Sequence, residues 1–435
     1  MTRAAYLGLD LGTSAVKALL AGEDGAVLAT GRAACAVDVP RPGWAEADPW
    51  SWLRAARDAV AACGAREVAA IGLAGQMHGV VLCDEAGAPV RPAILWADGR
   101  AQAEAARWRS PGNPAAPGFA GPILAWLRAH EPEAVRRARW ALQPKDWLRT
   151  ALGAPAATEP SDASATLLWD LAADAWACDD PLLAPVRPSD APAGELRVEL
   201  GAVRAGTPLV HGAADTAAAL LAAGGRMLNV GTGAQLAQGA AEPLPRVPEP
   251  TCHRFRAAGP GWYALAAVQN AGLAIDWARR LLGDGPARVG DGPLFVPHLT
   301  GARTPLLDPA ARGAWTGLSL ATDAEALRGS VLEGVAFAVR WARDALDAEA
   351  GRGEGPLRLL GGGAHDPVFA QALADALGEP LALVDATDAS ALGAAILAGA
   401  PARPPRVTGE VRPRRPAATL VEERFAAWRA AAAAV

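Results

Sequence analysis

The sequence predicts an α/β protein built from two duplicated domains that face each other across an active-site cleft. Three observations predict it. Short apolar runs punctuated by turn residues alternate with helical stretches. A Gly-Thr turn between apolar runs occurs twice, half a chain apart. A third glycine-rich turn stands between a strand-like run and a helix.

The first 35 residues carry the first signal. A buried run Tyr6–Asp10, a Gly-Thr-Ser turn and a second run Ala15–Ala21 read as a hairpin, and Glu23-Asp24-Gly25 turns the chain into Ala26–Arg32. After a proline-rich stretch at 40–49 the pattern becomes helical from Trp50 to Cys63, and a buried strand follows at Val68–Leu73. The repeat is the second signal: Leu9-Asp10-Leu11-Gly12-Thr13-Ser14-Ala15 returns as Leu228-Asn229-Val230-Gly231-Thr232-Gly233-Ala234, again between strand-like runs. Two short Gly-Thr turns can also coincide in unrelated hairpins. The spacing of half the chain favours duplication, with the junction at Ala223–Arg226 and domains of 1–223 and 224–435. The third turn, Leu359-Leu360-Gly361-Gly362-Gly363-Ala364-His365, precedes a helix expected from Pro367. Residues 178–195 and 402–416 read as loops, the latter a surface excursion before an alanine-rich terminal helix.

Composition narrows the function. The 435 residues exceed one usual domain about threefold, and 51% of them are hydrophobic, enough for two large cores. A net charge of −5 argues against nucleic acid as the partner. Five scattered cysteines with no CxxC pair point to reduced thiols in a cytoplasmic protein. No signal-like segment precedes the first strand and no apolar run reaches membrane-spanning length, so no membrane partner is expected.

A strand ending in aspartate and followed by Gly-Thr-Ser offers backbone N–H groups and hydroxyls to a phosphate, while the carboxylate can hold Mg²⁺ through water. Asp10, Gly12, Thr13 and Ser14 supply this in the first half. Gly231, Thr232 and Gly233 supply the second clamp, with Asn229 in place of the aspartate. Gly362, Gly363, His365 and Asp366 form the bare backbone on which a nucleoside can lie. Neither a Walker A loop nor a dinucleotide G-x-G-x-x-G occurs. The site therefore suits ATP held between two halves.

At this density of motifs the chain resembles the FGGY family of carbohydrate kinases, with its xylulokinases, glycerol kinases and ribulokinases, and most closely the xylulokinases. The resemblance runs nearly end to end. It is carried by Gly75-Gln76-Met77-His78-Gly79, Ile94-Leu95-Trp96-Ala97-Asp98-Gly99-Arg100, Pro144-Lys145-Asp146-Trp147-Leu148 and Ser161-Asp162-Ala163-Ser164. His211-Gly212-Ala213-Ala214-Asp215-Thr216, Thr300-Gly301-Ala302-Arg303-Thr304-Pro305 and Leu332-Glu333-Gly334-Val335-Ala336 extend it. It implies two actin-like (ribonuclease H-like) ATPase domains, ATP and Mg²⁺, and a small sugar, D-xylulose first, as phosphoryl acceptor. It implies Asp215 as catalytic base, although aspartate in that place is also a common helix cap. Met77, His78, Trp96 and Thr216 then line the sugar pocket with Asp215, and Asp98 pairs with Arg100 at its rim. The other histidines, His130, His211, His253 and His298, are left structural. Lys17 reads as a strand-surface residue.

Three positions depart from the resemblance: Thr216 stands where xylulose-phosphorylating relatives carry an amide, Ala97 where an asparagine is common and Ala302 where a glutamate is common. They leave ribulose, erythritol or glycerol open as the acceptor. An actin-superfamily ATPase without sugar chemistry would leave Gln76-Met77-His78 and Asp215 without purpose, and a catalytically dead sugar sensor would not need both aspartates. A hinge is expected near 222–226. The oligomeric state stays open, a homodimer being the assembly entertained.

Overall fold

In a computed structural model, residues 5–109, 112–385, 388–414 and 418–435 are described, and they form two seven-stranded sheets with helices packed against them. The first sheet is built on the hairpin Ala5–Leu11 and Ala15–Gly22, continued by Val27–Ala34. Its first strand pairs in parallel with Ala70–Gly75, which pairs in parallel with Pro208–Val210. The second sheet repeats this plan. Arg226–Val230 and Ala234–Ala240 form its hairpin, Trp262–Val268 extends it, and Leu357–Gly361 and Leu381–Val384 add in parallel on the other side. Counting these five strands in chain order, both sheets run 3-2-1-4-5, with strands 1 to 3 antiparallel and 4 and 5 parallel to 1. The repeated Gly-Thr motif thus marks a repeated topology, as a duplicated actin-like fold requires.

Local chemistry sets the element ends. The helix Pro49–Cys63 starts where the Asp48 carboxylate accepts the Trp50 N–H and proline takes the first turn, and it stops at Gly64 in a left-handed conformation. Its apolar face, with Trp52, Ala56 and Val60 fully buried, packs on the first sheet. The 27-residue helix Ala324–Ala350 does the same under the second.

Two segments read as loops are strands in part. Pro192–Glu195 forms an edge of the first sheet, and Val407–Val411 pairs with Leu381–Val384 at an edge of the second. Proline and glycine hid the former, because an edge strand tolerates both at positions a central strand cannot. Residues 415 and 416 of the expected 402–416 excursion lie outside the described residues. The terminal helix runs over Ala418–Ala432.

The division at 223/224 does not run cleanly through space. The helix Ala389–Leu397, far into the second half, lies on the first sheet against Ala5–Leu11 and Ala70–Gly75, and beside the helix Asp215–Ala223. Gly8 and Gly72 make this possible. A Cβ on Gly72 would stand 1.9 Å from the Ala394 carbonyl oxygen, and one on Gly8 would stand 1.8 Å from that of Ala391. Gly72→Ala must therefore push the helix off the sheet. The expected loss is about 3 kcal/mol of stability, read by urea denaturation; an unchanged midpoint would mean that the helix does not dock there.

Candidate active site

The carboxyl ends of three parallel strands bring the chemistry together. Asp10 lies beside Ala74 in the sheet, and Ala74 lies beside Ala213 of the short strand Ala213–Ala214. One step further along these strands come Gln76, Met77 and His78 from one, and Asp215 from another. Asp215 opens the helix Asp215–Ala223 rather than capping it from outside, and no side chain caps that helix. Its Oδ1 accepts the Thr216 N–H at 2.6 Å and the Thr216 hydroxyl at 3.2 Å. Among the described residues no donor occupies Oδ2, which leaves that oxygen for a ligand.

His78 is held in an unusual backbone conformation, φ +73°. Such strain in a non-glycine residue persists only where the surroundings enforce it, and it gathers at functional sites. Its ring stacks on Phe119 at 3.8 Å, and its Nδ1 lies 2.8 Å from the Ala165 carbonyl oxygen. A carbonyl only accepts, so Nδ1 carries the hydrogen and Nε2 is left as an acceptor. Burial, opposed by the Ala165 hydrogen bond and aided by the Arg303 charge, pushes the His78 pKa down to about 3. The imidazole is therefore neutral at any working pH. Met77 is buried, with the Tyr263 hydroxyl 3.9 Å from its sulfur.

Trp96 faces the first turn. Its indole N–H donates to the Thr13 hydroxyl at 2.8 Å, and Thr13 reaches the Gln76 side chain at 3.4 Å. Residues expected to line the sugar pocket and the phosphate turn thus share one hydrogen-bonded chain. At the rim, Arg100 forks onto both oxygens of Asp98, each bond 2.8 Å, while the Ala45 N–H takes a further place at 2.6 Å. Asp98 and Arg100 thus form the expected pair.

Between the halves opens a cleft of ≈ 310 Å³ lined by Lys17, Asn229, Gly361, Gly362, His365 and Asp388, among others. Lys17 is thus more than a strand-surface residue: its Nζ meets Asp388 at 2.8 Å inside the cleft. Gly361 stands at φ +77° and ψ −164°, a region only glycine occupies comfortably, and a Cβ there would be 2.8 Å from the Asn229 side-chain oxygen. Of the three glycines, Gly361 and Gly362 line this cleft. Gly363 is tucked against Val230, and Asp366 is turned to cap the helix Pro367–Leu377 while facing Arg279 at 3.4 Å. The Gly231-Thr232-Gly233 turn braces the helix Gly272–Leu282, whose Gly272 and Leu273 N–H groups bond the carbonyls of Gly231 and Thr232.

Residues 5–222 match the N-terminal domain of the FGGY family of carbohydrate kinases, and residues 201–402 match its C-terminal domain. The chain belongs to the FGGY family of carbohydrate kinases. This kinase is 36% identical to the xylulose kinase of Escherichia coli over 94% of its own chain and 93% of that protein. It is 35% identical to a glycerol kinase of Thermus brockianus, covering 89% and 88% of the two chains. Among solved structures, one described as a xyloylose kinase from Brucella ovis superposes with a TM-score of 0.90 at 32% identity, covering 98% of both chains. A xylulose kinase from Rhodospirillum rubrum superposes at 0.88 with 25% identity, over 99% of this chain and 98% of that one.

Electrostatics sharpen the kinase's site. Burial raises the Asp215 carboxyl to about 6 against the two Thr216 hydrogen bonds. Burial raises Asp10 to about 7, with Asp215 and Asp388 adding to the effect and Lys17 opposing it. The Oδ1 of Asp10 is buried without a partner. An orphaned carboxylate oxygen in repulsion with a second carboxylate suits a divalent cation, whose charge would relieve both. Among the described residues no cluster of three or more His, Cys, Asp or Glu could hold a metal alone. Phosphate oxygens and water would have to complete the shell, as Mg²⁺ prefers. No helix of the described residues is long and apolar enough to cross a membrane.

Sequence reasoning missed the aromatic wall behind His78. Phe119, Phe255 and His253 stack there, and Tyr263 closes it. The signal was present only as isolated aromatics, spread over more than a hundred residues.

Proposed function

We propose that the kinase transfers the γ-phosphoryl group of ATP to the terminal hydroxyl of D-xylulose, giving xylulose 5-phosphate and ADP. The observation that carries this reading is the meeting of Asp215, Met77 and His78 at the strand ends in a chain 36% identical to a xylulose kinase over nearly its whole length. A sugar hydroxyl is a weak nucleophile, and a carboxylate within hydrogen-bond reach takes its proton as the bond to phosphorus forms. The unoccupied Oδ2 of Asp215 serves as that base, while Thr216 fixes the other oxygen. The Nε2 of His78 accepts from a second sugar hydroxyl, because Nδ1 is committed to Ala165. Met77 and Trp96 give the sugar its apolar walls. The Gly12-Thr13-Ser14 and Gly231-Thr232-Gly233 turns cradle the phosphates, and Gly361-Gly362 with His365 receive the nucleoside. Asp10 would hold Mg²⁺ through water, and the ion would neutralise charge on the transferring phosphate.

Closure around both substrates excludes water, the competing acceptor. The halves turn about 222–226, where Gly224 and Gly225 both have positive φ. The Thr216 hydroxyl donates its hydrogen to Asp215 and can only accept from a sugar, where an amide would offer a donor as well. A polyol such as glycerol therefore stays as the second reading. A phosphorylation screen over xylulose, ribulose, erythritol and glycerol decides. D-xylulose is expected to give the highest kcat/KM; no turnover with it beside good turnover of another acceptor would retire the reading.

A further inference from the structure

The turn that presents Asp215 is held from below by fully buried polar groups. Residues 211–214 reach Asp215 from the strand Pro208–Val210. The Arg149 guanidinium donates to the His211 carbonyl at 3.0 Å, and the Gly212 N–H donates to the Ser189 carbonyl at 2.8 Å. The Ala214 N–H, immediately before the base, donates to the Ser161 hydroxyl at 2.9 Å. Ser161 in turn donates to the Glu159 carboxylate at 2.8 Å, and Ser189 donates to the same carboxylate at 2.9 Å. Glu159 caps the helix Pro160–Ser164, accepting the Ser161 and Asp162 N–H groups, and its charge faces Lys145 at 3.5 Å. Ser161, Glu159, Lys145 and Arg149 are all fully buried.

The same short helix touches the other half of the chain. The Ser164 hydroxyl accepts the N–H of Arg256, which lies on the edge strand His253–Arg256 of the second sheet, at 2.9 Å. It donates onward to the Ser161 carbonyl at 3.1 Å. A continuous path therefore leads from the second half's edge strand, through Ser164 and Ser161, to the backbone one residue before Asp215.

We propose that Ser161 and Ser164 are positioning residues for the base: Ser161 fixes the turn that carries Asp215, and Ser164 ties that fix to the seating of the second half. The proposal rests on the reading of Asp215 as base. Displacing a base by a fraction of an ångström costs rate without costing substrate affinity.

Ser161→Ala is expected to lower kcat roughly 10- to 100-fold while sugar KM stays within about threefold. Ser164→Ala should lose about 3- to 10-fold in the same way. Because the Ser164 effect runs through Ser161, the double variant should be no slower than Ser161→Ala alone. Losses that multiply in the double variant would overturn the link between the two serines. A Ser161→Ala enzyme that is folded at the assay temperature, by thermal melt, and turns over at the wild-type rate would overturn the proposal. Should that variant not fold, Ser161→Cys, close in size but a poor acceptor, reads the same effect: an intermediate kcat supports the proposal and a wild-type kcat sinks it. Asp215→Asn separates this proposal from the reading beneath it. An inactive Asp215→Asn beside an unimpaired Ser161→Ala rejects positioning alone, whereas an active Asp215→Asn rejects both.

Discussion

Asp215→Asn is expected to lower turnover by roughly 10²–10⁴ while sugar and ATP binding change little. Asparagine keeps the shape and the contacts of Oδ1 with Thr216, and removes only the basic oxygen. The wild-type enzyme should gain activity as pH rises through about 6, where the raised Asp215 carboxyl ionises, and the variant should lose that limb. Stability should move the other way. The folded protein binds the Asp215 proton more tightly than the unfolded chain, whose carboxyl titrates near its ordinary 3.8. Below both values the carboxyl is neutral in either state and carries no penalty. Between pH 4 and 6 the unfolded chain ionises first and stability falls; above 6 the whole cost of a buried charge remains. Asparagine removes that cost, so the variant should melt at or above the wild-type temperature at pH 7.5 and converge with it toward pH 4. A variant with near-normal turnover would end the base assignment. For comparison, Asp10→Asn should slow the reaction with a raised Mg²⁺ requirement, visible in a magnesium titration, because its proposed partner is the ion's water shell.

Lys145→Met is expected to cost about 3–5 kcal/mol, a large share of the stability of an ordinary domain. Lys145 is fully buried and stands 2.7 Å from Asp146, 3.2 Å from Asp162 and 3.5 Å from Glu159. Burial works against its charge, but the three acids outweigh it and hold its pKa above the usual lysine range. Burial drives Asp162 well above the usual carboxylate range despite Lys145. Lys145 and Arg149 together overcome burial to keep Asp146 low. Two cations, Lys145 and Arg149, thus share one buried cluster with Asp146, Asp162 and Glu159. Methionine leaves a single cation facing the anions, so one of them must be protonated on folding. The deficit should therefore shrink as pH falls toward 4–5 in urea titrations. A loss of equal size at every pH would point to packing instead of charge.

The parts of this site that were legible are those written in contiguous residues. A Gly-Thr turn between apolar runs is a local code, and its recurrence at Gly231-Thr232-Gly233 announced the duplicated sheet before any contact was known. Asp215 was singled out by the family resemblance, which its small-residue turn carries, since local pattern alone reads it as a helix cap. The illegible parts are contacts between distant segments. Nothing in the sequence pairs Trp96 with Thr13, or Asn113 with Arg254, whose backbone the amide bonds on both sides at 3.0 and 2.6 Å across the two halves. How closely Gly361 and Gly363 pack on Asn229 and Val230 of a neighbouring strand is likewise something no glycine count reveals. Ser161-Asp162-Ala163-Ser164 was recognisable as a motif, but its purpose emerged only when Ala214 and Arg256 were found on either side of it.

The helix Ala389–Leu397 has a consequence for how the protein comes into being. It covers the glycine face of the strands Ala5–Leu11 and Ala70–Gly75, which lie far upstream in the chain, so it leaves the ribosome long after them. Until that helix emerges the surface around Gly8 and Gly72 lacks this cover, so the amino-terminal half cannot finish its core as an independent unit. The two halves must mature together, with this helix acting as the keystone that locks the first sheet. A nascent chain stalled before residue 389 would present an open apolar sheet face, which chaperones recognise and proteases exploit.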